Sequence, residues 1–463
     1  MNKYILVFFI LSNTVELFSQ TYSLDDCIKR AMEKSIDIRI QKLNKESAFL
    51  QNRQAKFNLL PSVNIGSGVN YNIGYSISPL DYSYIEQNSI SGNLNLSAQI
   101  TLFQGFQQLK TIQKTKLDYQ VWDYQVKQIE NNLKIQVISL YLQSILEHEV
   151  LKSLRQQLLF SENLYNSKKE LLAEGLIAEN TTKELSLQIE IDKANIEKQT
   201  FQIENSLNKM KVLLQYTDYQ MFEIDTNIDF MGVPKAEKNN VLNKNFENLP
   251  DVQIEKIKWS SSQKQIEIYK GSLLPSLTLG YAFGTNFINT AKTYEYKTIR
   301  NPTIGFFGDS NYTFVRSISN QQVPVAEQPI SIFSQLGNNK QHQFQLNLQW
   351  SIFSKFSKRT NVKLAEISAK QQEERIDLTI QKLKENYNQA ISNRDNAFQK
   401  YKYNIVVAKA QEEKFKMAKE KFESNLIDYF ELMNYQNQYQ SSKIELSKSK
   451  LEWYFNQKIV EMY

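Results

Sequence analysis

Seventeen of the 21 glycine and proline residues, which disfavour helices, fall in two windows of the chain, 59–105 and 271–337. This distribution limits the possible folds more than any other feature. From Phe106 to Met231 there is one glycine, Gly175, and no proline; from Asn338 to Tyr463 there is neither. Glycine and proline are the residues that most disfavour a helix interior, so both stretches are predicted to be helical. Apolar residues recur there at steps of three and four, which indicates helices that bury one face.

The length of these helices indicates how they pack. At 1.5 Å per residue, the segment 106–174 corresponds to about 100 Å of helix. A helix of this length must pack lengthwise against partners, as in a coiled coil. We therefore predict two long helical hairpins, at 104–217 and 354–463.

One residue in each hairpin is suited to the turn. Gly175 is expected to adopt the left-handed conformation that ends the first helix, with Asn180 or Thr181 capping the returning helix. Asn425 occupies the corresponding position in the second hairpin, and asparagine also tolerates the left-handed region.

The sequence contains an internal duplication. Residues 36–65 align with 250–279 at an offset of 214, and both segments contain Leu-Leu-Pro-Ser. Two later pairs of segments align at an offset of 250: 94–106 with 345–356, and 169–177 with 419–427. The second copy therefore has about 36 additional residues, which fall between Leu279 and Gln345.

The duplication suggests a division into four parts. Residues 1–20, with Lys3 before the apolar run 4–11, have the pattern of a secretory signal. The predicted divisions are a signal peptide at 1–20, a first repeat at 21–231, a linker at 232–240 and a second repeat at 241–463.

Each repeat begins with a helical segment and continues with a pair of strands. The predicted helices are Leu24–Asn58, with Ser23 as the N-cap, and Val241–Lys270. Apolar and polar residues then alternate, which predicts strand pairs at 62–103 and 276–353, each strand with one apolar and one polar face. Residues 285–341 are polar and contain glycine, and are expected to form a long irregular loop.

Four two-faced strands cannot close a membrane barrel, which needs about eight or more. An open sheet in lipid would leave unpaired backbone groups, each of which costs several kcal/mol. The strands are therefore expected to close with those of other copies, and three copies would supply twelve strands.

Composition disfavours several classes of function. The net charge of +6 arises from 55 basic and 49 acidic residues, a small surplus that does not indicate nucleic-acid binding. A single cysteine, Cys27, and two distant histidines, His148 and His342, disfavour a metal site or a histidine-based catalytic centre. We expect no cofactor, no metal and no enzymatic activity, and we expect Cys27 to be a buried helix residue.

Several motifs, in this order and spacing, resemble those of the TolC family of outer-membrane efflux proteins. They are SLDDCIKRAMEKS at 23–35, the two LLPS strand entries, TLFQGF at 101–106, AEGLIAENTTKEL at 173–185 and NLPDVQI at 248–254. The resemblance covers the chain beyond the signal peptide. It implies a mostly helical protein with strands, a homotrimer in which a twelve-stranded outer-membrane β-barrel is continued by a periplasmic α-helical barrel.

The resemblance also implies partners and cargo. The partners would be a periplasmic adaptor, an inner-membrane pump of the RND, ABC or a similar type, and outer-membrane lipid. The duct would serve a tripartite efflux pump or a type I secretion system, and its cargo would be drugs, dyes, metal ions or polypeptides. The alternatives from other classes are an envelope stalk or adhesin with a membrane anchor and a periplasmic adaptor.

The same resemblance assigns residues to the periplasmic end. In the family's best-known member the entrance is narrowed by carboxylates in the helix that follows the second hairpin turn, and the matching positions here are Glu431 and Asn434. Because Asn434 departs from the pattern, Asp428 is a substitute candidate. The adaptor is expected to contact the two hairpin tips, which comprise Glu174, Gly175, Leu176, Ile177, Asn425, Leu426 and Ile427.

Overall fold

The computed structural model describes residues 21–77, 84–86, 88–216, 222–226, 245–308, 313–424 and 426–463. The predicted signal peptide, the predicted linker 232–240 and Asn425 lie outside these ranges. The chain divides into two compact units. Unit 1 comprises residues up to Phe49, Leu117–Ser260 and Lys370–Tyr463, and unit 2 comprises Leu50–Lys116 and Ser261–Ala369.

Eight α-helices lie in the described residues. They are α1 Leu24–Lys34, α2 Ile36–Phe57, α3 Gln107–Ala173, α4 Glu179–Leu213, α5 Pro250–Gly271, α6 Ile332–Asn338, α7 Ser357–Glu423 and α8 Tyr429–Glu461. Both ends of α2 and α5 differ by 214, and both ends of α3 and α7 differ by 250. The duplicated helical hairpins predicted from the sequence are thereby confirmed, and α3 and α7 are each 67 residues long.

The opening helix of the first repeat was expected to be continuous, and this expectation is wrong. The chain leaves helical geometry at Ser35 (φ −55°, ψ 128°), and the Ser35 hydroxyl accepts a hydrogen bond from the Ile38 amide at 3.3 Å. A serine oxygen can replace the missing backbone partner at a new helix start, so two helices form. The predicted cap at Ser23 is present: its hydroxyl oxygen accepts from the Asp26 amide, and the Asp26 carboxylate accepts from the Ser23 amide. In the second repeat the helix begins at Pro250, later than the predicted Val241.

The first hairpin turn depends on Gly175, as predicted. Its φ is +74°, and the Gly175 and Leu176 amides donate to the carbonyls of Leu172 and Leu171, both at 3.0 Å. This pair of bonds is a Schellman motif, which satisfies carbonyls at the end of α3. The prediction that Asn180 or Thr181 caps α4 is wrong, because α4 begins at Glu179 and the residue before it, Ala178, has no side-chain cap.

Unit 2 contains one four-stranded antiparallel sheet. Its strands are β2 Ser62–Asn72, β5 Ser89–Gln104, β7 Ser276–Ile288 and β12 Gln341–Gln349, in the order β12-β7-β5-β2. Each repeat contributes two strands, and β5 pairs with β7 to join the repeats. The predicted second strand of the second repeat ends earlier than expected, at Gln349, so Trp350 and Ile352 lie outside it.

The segment 285–341 is more ordered than predicted. It includes the end of β7 and then β8 Lys292–Ile299, β9 Thr303–Phe307, β10 Thr313–Arg316 and β11 Gln321–Pro329, which pair as β8 with β11 and β9 with β10. Four short strands complete the set in the described residues: β1 Thr21–Tyr22, β3 Tyr75–Ile77, β4 Tyr84–Glu86 and β6 Glu223–Ile224. The four strands β8 to β11 are only four to nine residues long, and Phe306 and Phe307 are adjacent in β9, so the alternation that identifies a half-buried strand is short or interrupted.

Helix α6 takes the place of a strand beside the end of β7. The amide of Gln335, a buried residue, accepts from the Ile288 backbone N–H and donates to the Ile288 carbonyl, both at 2.9 Å. The Gln335 side chain thus imitates a neighbouring peptide group, and β12 pairs with β7 only from Gln341 onward.

The largest core of unit 1 surrounds helix α1 and the short parallel pair of β1 Thr21–Tyr22 with β6. The buried Tyr141 hydroxyl donates to the Tyr22 carbonyl at 3.1 Å and lies 2.7 Å from the Asp225 carbonyl. Cys27 is fully buried in this core, and burial raises the pKa of its thiol to about 12. The expectation that Cys27 is an inert packing residue agrees with this environment.

None of the helices in the described ranges has both the length and the apolarity of a membrane-spanning segment.

Candidate functional site

The four-stranded sheet of unit 2 is the first candidate site, because its register brings most of its large apolar side chains to one face. Across the sheet, Ile65 is paired with Leu96, Leu96 with Phe283 and Phe283 with His342. The next rows on the same face bring together Val63, Ala98, Tyr281 and Phe344, and then Ile100, Leu279 and Leu346. Most of the large apolar residues of the four strands therefore lie on one face, whereas Ala282 and Ile288 lie on the other.

This apolar face is exposed in the single chain. Ile65 is 76% exposed and Phe344 is 77% exposed, and these residues lie on the two outer strands. A soluble domain rarely leaves an extended apolar face of this kind uncovered, so the face must contact lipid or another apolar surface.

The opposite face is polar and carries no charge. Most of the residues on it have amide or hydroxyl side chains or are glycine: Asn64, Gly66, Gly68, Asn70, Asn93, Asn95, Ser97, Gln99, Thr101, Thr278, Gly280, Ala282, Gly284, Asn286, Gln341, Gln343, Gln345, Asn347 and Gln349. None of the four strands contains Asp, Glu, Lys or Arg. A face rich in amides and glycine is compatible with water and unsuited to a lipid environment.

The sheet has two open edges. Strands β2 and β12 are its outermost strands in the described chain, and they are 11 and 9 residues long. Outer strands of this length present rows of backbone donors and acceptors that can pair with another strand. Three copies of the sheet, closed edge to edge, would remove all of these edges and give twelve strands.

The second candidate site is the pair of hairpin tips in unit 1. Leu176 and Leu426 are 66% and 73% exposed, whereas Ile177 and Ile427 are half-buried. Both pairs are related by the offset of 250, so the two repeats present the same arrangement. Glu174 and Gly175 are also exposed, and Asn425 lies outside the described residues.

The packing beneath the tips was not predicted from the sequence. Leu185, Tyr429 and Met433 form a buried cluster, with Phe160 and Phe422 packed against it. Burial raises the pKa of Tyr429 to about 12. The spacing of Tyr429 and Met433, one helical turn apart, is the sequence signal that could have identified them.

The three gate candidates have different environments. The Asp428 carboxylate accepts from the Glu431 amide at 2.8 Å and is therefore the N-cap of α8. Glu431 and Asn434 are exposed and lie three residues apart, on one face of the helix. The Asn434 side-chain oxygen accepts from the Gln438 amide at 3.0 Å. Of the two acids, Asp428 and Glu431, only Glu431 has a carboxylate without a hydrogen bond to another described residue.

Within the described ranges, no group of three or more His, Cys, Asp or Glu side chains is arranged to hold a metal ion.

Comparison with known proteins agrees with this architecture. Residues 241–458 match the model of the outer membrane efflux protein family. No curated protein matches the chain.

Several solved structures share the fold. A membrane protein from Pseudomonas aeruginosa has a TM-score of 0.71 and 16% identity, over 95% of this chain and 89% of that one. CusC has a TM-score of 0.73 and 13% identity, over 94% and 90%. The open-state MtrE outer membrane channel of Neisseria gonorrhoeae has a TM-score of 0.70 and 14% identity, over 95% and 88%.

The fold is therefore the one that these solved membrane proteins share, mostly helical with strands. Residues 241–458 match the outer membrane efflux protein family, so the predicted resemblance to this family is confirmed over that part of the chain.

Proposed function

We propose that this protein is the outer-membrane exit duct of a tripartite efflux pump or a type I secretion system. Three copies would close their sheets into a twelve-stranded barrel in the outer membrane, and their helices would form a tube through the periplasm. The duct is passive, because its cargo is driven by an inner-membrane pump of the RND, ABC or a similar type. It carries out no enzymatic reaction.

The two-faced sheet with open edges is the observation that carries this proposal. Its apolar face suits lipid, its uncharged amide face suits a water-filled lumen, and its outer strands need partners that a single chain does not provide. An envelope stalk with a membrane anchor would not need a polar face along every membrane strand, so nothing in the sheet favours that alternative.

We further propose that the hairpin tips dock on a periplasmic adaptor. Leu176 and Leu426 support this role because each is a large apolar side chain exposed at a turn, in the same position of each repeat. Leu176→Ser and Leu426→Ser together are expected to abolish co-purification of the adaptor. Leu187→Ser, which changes another exposed leucine on α4, is the matched control. Unchanged co-purification from the tip variant would contradict docking at these residues.

Glu431 is proposed as the gate residue at the periplasmic entrance. In a trimer it would supply three carboxylates, whose focused negative potential attracts cations and repels anions. Asp428 already caps α8, and Asn434 is uncharged, so the ring would be single. Glu431→Gln is expected to reduce cation preference and cation block of the current, and Glu385→Gln, an exposed acid elsewhere on α7, is expected to leave both unchanged.

The duct itself is tested in planar lipid bilayers. Purified protein of trimeric mass is expected to give discrete conductance steps. A trimeric sample that gives no steps would exclude the duct function.

A further inference from the structure

The helix ends that adjoin the sheet carry a large local excess of basic residues. Four mainly helical segments of unit 2 adjoin the same end of the sheet, because neighbouring strands run in opposite directions. These segments are 50–60, 105–116, 261–272 and 355–369. Their only acidic residues are Glu267 and Glu366. Their basic residues are Arg53, Lys56, Lys110, Lys114, Lys116, Lys264, Lys270, Lys355, Lys358, Arg359 and Lys363. We call these eleven basic residues the basic collar.

The two acids of the four segments are already paired with lysines of the collar. The ion pairs are Glu267 with Lys110 and Lys264, at 2.5 and 2.7 Å, and Glu366 with Lys363 and Lys270, at 3.2 and 3.8 Å. Five exposed members make no ion pair with any carboxylate in the described parts of the chain: Arg53, Lys56, Lys116, Lys355 and Arg359. Their positive charges are available to an external anion.

Large aromatic side chains lie at the same ends of the strands. Phe57, Phe106, Trp350, Phe353 and Phe356 are between 53% and 70% exposed. The Trp350 indole donates to the Leu273 carbonyl at 3.2 Å, so its ring is held at the foot of the sheet. Tryptophan is enriched at membrane–water interfaces, and exposed phenylalanine side chains supply apolar surface that can enter the boundary between headgroups and acyl chains.

One contact joins the basic and aromatic groups. The Arg53 guanidinium carbon lies 5.9 Å from the centre of the Phe57 ring, and both residues are in the last part of α2, before β2 begins. An arginine beside an exposed ring can keep its charged group among lipid headgroups while its stem covers apolar surface. In space, the apolar sheet face is therefore followed by aromatic residues and then by basic residues.

We propose that the basic collar binds anionic phospholipid headgroups of the leaflet on the helix side of the membrane. This inference rests on the proposed function, because it requires that the sheet crosses a bilayer. A basic cluster immediately outside a membrane span is attracted to anionic lipids, and each residue near the surface contributes substantially. The adjoining aromatic residues favour a lipid surface over acidic cargo in the lumen or an acidic patch on a partner protein.

The preference for anionic lipid can be measured directly. The trimer is reconstituted in phosphatidylcholine vesicles that contain a trace of spin-labelled phosphatidylglycerol or spin-labelled phosphatidylcholine, and the motionally restricted fraction of each label gives their relative association. At low salt the native protein is expected to prefer phosphatidylglycerol by about fivefold or more. At about 1 M salt, where the screening length is about 3 Å, the preference is expected to fall close to one.

A charge-matched pair of variants locates the effect. The collar variant combines Arg53→Gln, Lys56→Gln and Arg359→Gln, and is expected to lower the preference at least about threefold. The control combines Lys382→Gln, Lys409→Gln and Lys414→Gln, which are exposed on α7 in unit 1, and is expected to keep the native preference.

Each contrary outcome has a distinct meaning. Conductance steps together with equal association of both lipids by the native protein would overturn the lipid site and leave the duct intact. A collar variant that keeps its lipid preference but changes the ion preference of the current would assign the cations to the lumen and overturn the proposal. A native trimer that gives no conductance steps would instead count against the duct function.

Discussion

A lysine placed on one face of β2 should be far more harmful than a lysine placed on the other. Ile65 lies in a row of the apolar face with Leu96 and Phe283, near the middle of that face, whereas Asn64 points to the amide face beside Ser97. We predict that Ile65→Lys prevents stable insertion of the protein and that Asn64→Lys is tolerated.

The expected magnitude follows from the number of copies. A lysine on the lipid face near the bilayer midplane costs about 2–4 kcal/mol, so three copies in one barrel lose about 6–12 kcal/mol per trimer. A lysine facing a water-filled lumen keeps its hydration and costs little. The two substitutions are adjacent in sequence and introduce the same charge, so each serves as the control for the other.

The assay has two readouts. The amount of trimer recovered in the outer-membrane fraction reports insertion, and the guanidinium midpoint of protein reconstituted in vesicles reports stability. If Asn64→Lys proves as damaging as Ile65→Lys, or more so, the assignment of the two faces to lipid and water is refuted.

Two further predictions concern the foot of the sheet and the core of unit 1. An added Cβ at Gly105 would lie 2.1 Å from the Gly271 carbonyl oxygen, at φ +57°, so Gly105→Ala should destabilise the protein by at least about 2 kcal/mol. Lys355 is the residue of the second repeat that corresponds to Gly105, and its φ is +50°. Lys355→Gly should therefore leave the protein equally stable or stabilise it by up to about 1 kcal/mol. A higher denaturant midpoint for Gly105→Ala, or a lower one for Lys355→Gly, would contradict these two predictions. Burial raises the pKa of Cys27 to about 12, so native protein at pH 8 should not react with a thiol reagent, while unfolded protein should show one thiol. Rapid labelling of native Cys27 at pH 8 would refute this burial. Because the pKa of Cys27 in the folded state lies above its ordinary value of 9.0, the thiol should not change the free energy of unfolding below about pH 9 and should lower it as the pH rises toward 12.

The parts of the fold that the sequence predicts well are those with a repeated physical signal. The period of two along the strands placed most of the large apolar residues of the sheet on one face. The two offsets located α3 and α7 because duplicated segments keep their lengths. Gly175 was identifiable because a helix that must turn back needs a residue that enters the left-handed region without strain.

The parts that the sequence did not predict depend on single hydrogen bonds or on several elements together. The break at Ser35 arises because one hydroxyl can start a new helix, and serine also occurs within helices. Ala178 shows that a helix can begin without a side-chain cap. The basic collar could not be recognised from a net charge of +6, because its members come from four separate segments that only the antiparallel sheet brings to one side.

The central claim, that the open edges of β2 and β12 belong to a ring of three copies, is tested most directly by cross-linking across the seam. The double variant Asn64→Cys, Gln345→Cys, treated in membranes with a flexible bismaleimide, places a reactive thiol on each edge strand, and native Cys27 is buried. The account predicts covalent dimers and trimers and no larger product. A ladder that continues beyond three copies, or monomer alone when both new thiols are labelled, would contradict it.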